Sequence, residues 1–212
     1  MSSLYVGGAW VGARAGGRRE IRCPADGSLV GTVDEATAAD TQAAIAAARD
    51  AFAEDGTSAS LEDIARRAGV GIGTLYRHFP SRQDLLEAVY VEEVEEVCQS
   101  AGELADLPPW EALAGWLHRV VAYVGRKHAL AQELWNYLDR DAEVFRGCRT
   151  ALFAAGEPLL KRAQQAGAVR ADANLDDILQ IVGGIGKNPT TPPEQVEHVL
   201  DIALDGLRYR PG

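Results

Sequence analysis

Residues 60–86 read SLEDIARRAGVGIGTLYRHFPSRQDLL, and the fold follows from how this stretch punctuates itself. Leu61, Ile64, Ala65 and Ala68 recur at i, i+3, i+4 and i+7, an apolar stripe at the helical period, while Glu62, Asp63, Arg66 and Arg67 take the other face. Ser60 and Asp63 have the spacing of a capping box, in which each side chain satisfies a free backbone N–H of the first turn. Gly69 stops the helix. After a tight turn through Val70 and Gly71, a second short helix is predicted from Ile72 to Phe79. Its Leu75 and Phe79 face inward, leaving Gly73, Thr74, Tyr76, Arg77 and His78 outside. Pro80 ends it, and Ser81 with Asp84 repeats the box ahead of a third helix carrying Arg82, Leu85, Leu86 and Val89. Short helices joined by a glycine turn form a helix-turn-helix, whose second helix fits the DNA major groove. The pattern also fits a plain helical corner of another all-α protein. The exposed turn favours the first reading: it carries a hydroxyl, a phenol, a guanidinium and an imidazole, where a plain surface helix carries Glu and Lys. Those groups suit phosphates and base edges.

The run GVGIGTLYRHFPSRQDLL is similar to the recognition helix and following helix of TetR-type transcriptional regulators. The resemblance implies that Ile72, Gly73, Thr74, Tyr76, Arg77 and His78 touch DNA and that Arg82 lies close to its backbone. It further implies that Tyr76 and His78 hold phosphates, Thr74 a phosphate or a base, and Arg77 a base edge or phosphate, while Gly73 lets the backbone come close. The expected protein is a homodimeric repressor, not an enzyme, that binds a palindrome in double-stranded DNA and is released by a small-molecule effector.

At 212 residues the chain holds one large or two small domains, and its 47% hydrophobic and 25% charged residues are those of an ordinary soluble protein. The net charge of −10 argues at first against nucleic acid, since neutralising phosphates needs Lys and Arg. Its distribution softens the objection: residues 57–90 hold four basic against four acidic side chains, while residues 91–212 hold 12 against 19. The DNA face is therefore the least repulsive part without being a basic patch, and modest affinity with strong salt dependence is expected. Cys23, Cys98 and Cys148 are far apart, fit reduced thiols and have no metal-ligand spacing; no cofactor or metal is implied. The N-terminus lacks a signal pattern and no run is long enough to span a membrane, so a cytoplasmic location is expected.

From Leu4 to Val33, Gly and the run Pro24-Ala25-Asp26-Gly27 punctuate short apolar segments, predicting two or three short strands with tight turns. Thr37 with Asp40 is another capping box, opening a helix through Ile45, Ala48 and Phe52 that ends near Gly56. Residues 4–56 resemble the extreme N-terminus of aldehyde dehydrogenases. That resemblance covers a quarter of the chain and leaves out everything the dehydrogenase reaction requires: the dinucleotide-binding domain, the catalytic cysteine and the general base. The helix near residues 39–55 also resembles the first helix of a TetR-type domain. Asp34, Glu35 and Asp40 stand where that family commonly places basic residues, and would repel a DNA backbone. The alternative is a fusion product with impaired DNA binding and no dehydrogenase activity.

Helices continue to the C-terminus. The third helix of the core extends to about Ala101, with Glu92, Glu93, Glu95 and Glu96 as its solvated face and not a metal site. Further helices are predicted from Pro108/Pro109 through Val124, from Ala129 to Leu138, and from Ala142 to Ala166, closed by Gly167. Two more follow, one capped by Asn174 and one opened by Pro193. The TetR resemblance continues in looser form and implies that the last two helices pair with a second subunit through Val182, Gly183, Val199, Ala203 and Leu207; packing within one chain is the alternative. Trp116, Tyr123, Trp135, Tyr137, Phe145 and Phe153 are candidates for an effector pocket, or for ordinary core. VGGIGK is no phosphate loop, because Ile181 replaces the leading glycine and Asn188 the hydroxyl residue. The expected architecture is mainly all-α: an N-terminal extension with short strands (1–36), a helix-turn-helix domain (37–84), and a helical effector-binding and dimerisation domain (85–212).

Overall fold

The computed structural model describes residues 4–6, 9–11, 18–34, 37–186 and 191–208. They fall into two compact units, Met1–Val89 and Tyr90–Gly212. The first begins with two antiparallel hairpins, β1 (Leu4–Val6) with β2 (Ala9–Val11), and β3 (Arg18–Arg22) with β4 (Leu29–Asp34). The Pro-Ala-Asp-Gly punctuation becomes the second hairpin's turn. Gly27 adopts φ 72°, its N–H donates to the Cys23 carbonyl at 2.8 Å, and the Asp26 carboxylate accepts from the Ser28 N–H and hydroxyl.

Helix α1 (Ala38–Asp55) opens with the predicted box complete: the Asp40 carboxylate accepts from the Thr37 N–H at 2.8 Å, and the Thr37 hydroxyl accepts from the Asp40 N–H. Its buried Ala44, Ile45, Ala48, Ala51 and Phe52 form one stripe packed on α2 (Leu61–Ala68), whose Ile64, Ala65 and Ala68 are buried in turn. At Ser60 only half the predicted box forms. The Ser60 hydroxyl accepts from the Asp63 N–H at 3.0 Å, but the Asp63 carboxylate turns to Arg66 and Arg67, three and four residues on, where ionic partners outcompete a backbone amide. Gly69 caps α2 at φ 69°, ψ 29°, and α3 (Ile72–His78) follows. The box of Ser81 and Asp84 is complete and opens α4 (Arg82–Glu103), which buries Leu85, Leu86 and Val89 in the first unit.

In the second unit, the remainder of α4 buries Glu93 along with Val94 and Val97. This corrects the expectation that all four glutamates are solvated: Glu93 shares the i, i+4, i+7 stripe with Val97 and Ser100, whereas Glu95 and Glu96 are exposed. Helix α5 (Pro109–Leu134) is a single 26-residue element, where two helices were expected. The polar run Arg126-Lys127-His128 interrupts the apolar pattern but contains no helix breaker, so the backbone continues through it. Helices α6 (Glu143–Gln165), α7 (Leu175–Gly186) and α8 (Pro193–Asp205) pack with α5 around Leu113, Trp116, Leu117, Leu175, Ile178 and Leu200, all essentially fully buried. Each such side chain contributes about 1.5–3 kcal/mol. Trp116 donates its indole N–H to the Val97 carbonyl at 3.1 Å, and Gly156 of α6 makes room for its ring. Arg162 donates to the Ala105 and Leu107 carbonyls, tying the α4–α5 loop to α6. The Asn174 side chain accepts from the Asp177 N–H at 2.9 Å, the expected cap of α7.

Candidate nucleic-acid interface

The turn that presents α3 is built from three residues. Gly69 takes the left-handed conformation, Val70 is 1% exposed and anchors the turn in the core, and Gly71 starts α3 from an extended conformation. Leu75 and Phe79 point inward as predicted. Tyr76 is 44% exposed, and Arg77 and His78 are exposed beside it. A Cβ added at Gly73 would meet nothing within 4 Å, so the helix surface is open there to close approach.

Two of the side chains expected at DNA are engaged within the first unit. Thr74 is only 5% exposed, because it lies on the inward stripe with buried Gly71 and Leu75, at i, i+3 and i+4. Arg82 donates to the Ala59 carbonyl and stacks on the Phe52 ring at 4.9 Å, clamping the start of α4 to the end of α1 and the loop before α2. Ile72 is half-buried. The Thr41 hydroxyl donates to the Thr37 carbonyl and lies 3.4 Å from Nδ1 of His78, a contact whose direction the imidazole tautomer sets.

The local charges are largely spent. Asp63 binds Arg66 and Arg67, whose guanidinium groups hold its carboxyl below the usual carboxylate range. Arg67 also reaches Glu54 at 2.6 Å and Asp55 at 3.2 Å, and the Glu54 bond leads in raising its pKa. Arg77 has no ion pair among the described residues. Asp40, expected to repel DNA, is 2% exposed and bound by the Thr37 N–H and hydroxyl, so its charge serves the cap. Glu35 and the side chain of Asp34 lie outside the described residues.

The second unit contains a cavity of about 510 Å³ between α5, α6 and α7. Of the six aromatic candidates it takes three, Tyr123, Phe145 and Phe153. Trp116 is fully buried core, while Trp135 and Tyr137 are 37% and 47% exposed and do not line it. Tyr90 also lines it, its ring edge-on to Phe145 at 5.3 Å; it went unpredicted, as did Arg140, Arg146 and Arg149. Burial pushes the Tyr90 phenol up to about 12, helped by nearby Cys148, and raises Tyr123 as well. Among the expected interface residues, Val182 is 1% exposed and belongs to its own unit's core, and Gly183 lines the cavity. Val199 is exposed, Ala203 and Leu207 are half-buried, and Ile181 and Ile202, at 48% and 61% exposure, form the more open apolar positions of α7 and α8. Among the described residues no helix is long and apolar enough to cross a membrane, and no acidic, His or Cys cluster could hold a metal.

Residues 44–89 match the family described as bacterial regulatory proteins, tetR family, and residues 108–209 match the C-terminal domain of SbtR-like transcriptional regulators. The TetR transcriptional regulator SCO0520 from Streptomyces coelicolor is 38% identical, with a TM-score of 0.71 over 81% of this chain and 99% of that one. The TetR regulatory protein from Mycobacterium vanbaalenii is 34% identical, with a TM-score of 0.67 over 81% and 96%. A Staphylococcus aureus HTH-type transcriptional regulator, SAR0097, is 43% identical over 44 residues, 21% of this chain and 23% of that protein. Aminoaldehyde dehydrogenase 2 of Zea mays is 43% identical over 53 residues, a quarter of this chain but only 10% of that enzyme. The chain thus spans a quarter or less of these two curated relatives, and the fusion reading draws no support from so short a match. The helix-turn-helix, the helical unit that follows it and the two near-full-length structural matches together make this chain a member of the TetR family of DNA-binding transcriptional regulators.

Proposed function

We propose that the protein is a homodimeric repressor that reads a palindromic operator with α3 and leaves it when a small molecule enters the α5–α7 cavity. The observation that carries this reading is the exposed turn of Tyr76, Arg77 and His78 beside the open surface at Gly73. Tyr76 and His78 bind phosphates and Arg77 a base edge or phosphate, while Gly73 admits the backbone. Thr74 and Arg82 support this surface from within, Thr74 by packing and Arg82 through its clamp on Ala59 and Phe52.

Ile181, Val199 and Ile202 supply the apolar surface for a second copy on α7 and α8, beside the half-buried Ala203 and Leu207. Two recognition helices related by a two-fold axis then read half-sites about 34 Å apart or a longer multiple. An effector with higher affinity for the subunit arrangement that misplaces those helices lowers operator affinity by linkage. The protein acts in the cytoplasm, where its operator lies. Selection of genomic fragments by the purified protein tests the reading: one palindrome, bound by two protomers, is the expected result. A folded protein that enriches no sequence overturns it.

A further inference from the structure

The α5–α7 cavity has a chemical bias that the aromatic pattern alone does not reveal. Among the described residues its lining includes Arg140, Arg146 and Arg149 and no carboxylate, in a chain whose net charge is −10. The arginines are held differently. Arg140 stacks on the Trp135 ring at 4.4 Å, which fixes its guanidinium without neutralising it. Arg149 lies 5.2 Å from the Phe153 ring and donates to Asp176, a carboxylate that also accepts from Gln180 at 3.0 Å. Arg146, one turn earlier on α6, has no ion pair among the described residues. Beside these charges stand Tyr90, Tyr123, Phe145 and Phe153.

We propose that the effector is an organic acid, an apolar or aromatic body carrying a carboxylate. The body lies against Phe145, Phe153 and Tyr123, and the carboxylate binds Arg146, with Arg149 as its supported neighbour. Phe145, Cys148 and Leu152 form one stripe of α6 at i, i+3 and i+7, and Arg146, Arg149 and Phe153 form the adjacent one at the same spacing, so a single helix offers apolar surface and cations side by side. A guanidinium matches a carboxylate through two parallel N–H donors, and Arg146 and Arg149 are exposed, which leaves those donors accessible to an entering ligand. A neutral ligand of the same shape would leave Arg146 without a counter-charge. The volume of about 510 Å³ suits a small-molecule ligand. The inference rests on the regulator reading only for the word effector; the ligand preference belongs to the cavity.

The test uses the full chain without DNA. Naphthalene-2-carboxylate and decanoate, and the corresponding neutral amides, are titrated calorimetrically into the wild type and into the Arg146→Gln/Arg149→Gln double variant. The expected result is at least tenfold tighter binding of each acid than of its amide, with the preference lost in the double variant. A Arg146→Lys variant should keep a reduced preference, which separates charge recognition from damage to the fold. Equal binding of acid and amide, binding of neither, or a preference that survives the double substitution overturns the proposal. Fragment selection is a separate measurement: operator binding with no acid preference leaves the regulator standing and removes the anion site, and the converse result does the reverse.

Discussion

Replacing Gly156 by alanine places a methyl group 2.4 and 2.5 Å from two carbons of the Trp116 ring and 3.0 Å from a methyl of Leu175. Carbon atoms pack best at about 3.5–4.0 Å, so the indole must shift by about 1 Å. It has little room, because Trp116 and Leu175 are both fully buried and the indole N–H is committed to the Val97 carbonyl at 3.1 Å. Overpacking of this kind costs roughly 1–3 kcal/mol, and disturbing the hydrogen bond adds about 1 kcal/mol. Against this stands a gain of up to about 1 kcal/mol from replacing glycine inside a helix. The net expectation is a loss of about 2 kcal/mol, or roughly 4–8 °C in Tm for a chain of this size. Gly147 provides an internal control on the same helix, since a Cβ there meets nothing within 4 Å. Gly147→Ala should hold or raise the Tm while Gly156→Ala lowers it, as followed by circular dichroism at 222 nm and by tryptophan fluorescence. Equal stabilisation by both substitutions would refute the placement of Trp116 against α6.

Arg82→Met keeps much of the apolar stem over Phe52 but removes the donor to the Ala59 carbonyl; it should cost roughly 1–3 kcal/mol in chemical denaturation. A loss of operator affinity with no loss of stability would instead place Arg82 on DNA. Asp63, whose carboxyl is held low by Arg66 and then Arg67, favours folding at all pH values above the ordinary carboxylate range. The sign follows from its folded pKa lying below its unfolded one: the contribution fades as pH falls below about 4 and through the folded value. Asp63→Asn should therefore flatten part of the acid limb in a Tm series from pH 7 to 3, and an unchanged limb would remove Asp63 from the account.

How much of this was legible in the sequence depended on how local the physics was. The boxes at Thr37/Asp40 and Ser81/Asp84, the Gly69 stop and the Asn174 cap all rest on groups three or four residues apart, and spacing alone finds them. Ser60/Asp63 shows the limit even there, because spacing does not reveal that arginines compete for the same carboxylate. The exposed side chains of α3 followed from its period, yet Thr74 was misplaced because a polar residue type outweighed its position on the inward stripe. Cavity residues depended on convergence in space. Nothing in the sequence separates Trp116 in the core from Trp135 at the surface, and Arg140 joins Arg146 and Arg149 only because the loop before α6 folds toward that helix's face. On α7, Val182 and Ile181 are equally apolar; burial of the first and exposure of the second follow from packing against α5 and α8.

The central claim is that α3 binds DNA through the side chains of its exposed turn, and the most direct measurement is equilibrium binding of the selected operator by the wild type, Tyr76→Phe and His78→Ala. Each substitution removes a hydrogen bond to a charged phosphate, so affinity should fall by about 1–3 kcal/mol, roughly 5- to 150-fold, with the circular dichroism spectrum and Tm unchanged. Affinities equal to the wild type for both variants would show that this face does not dock on DNA.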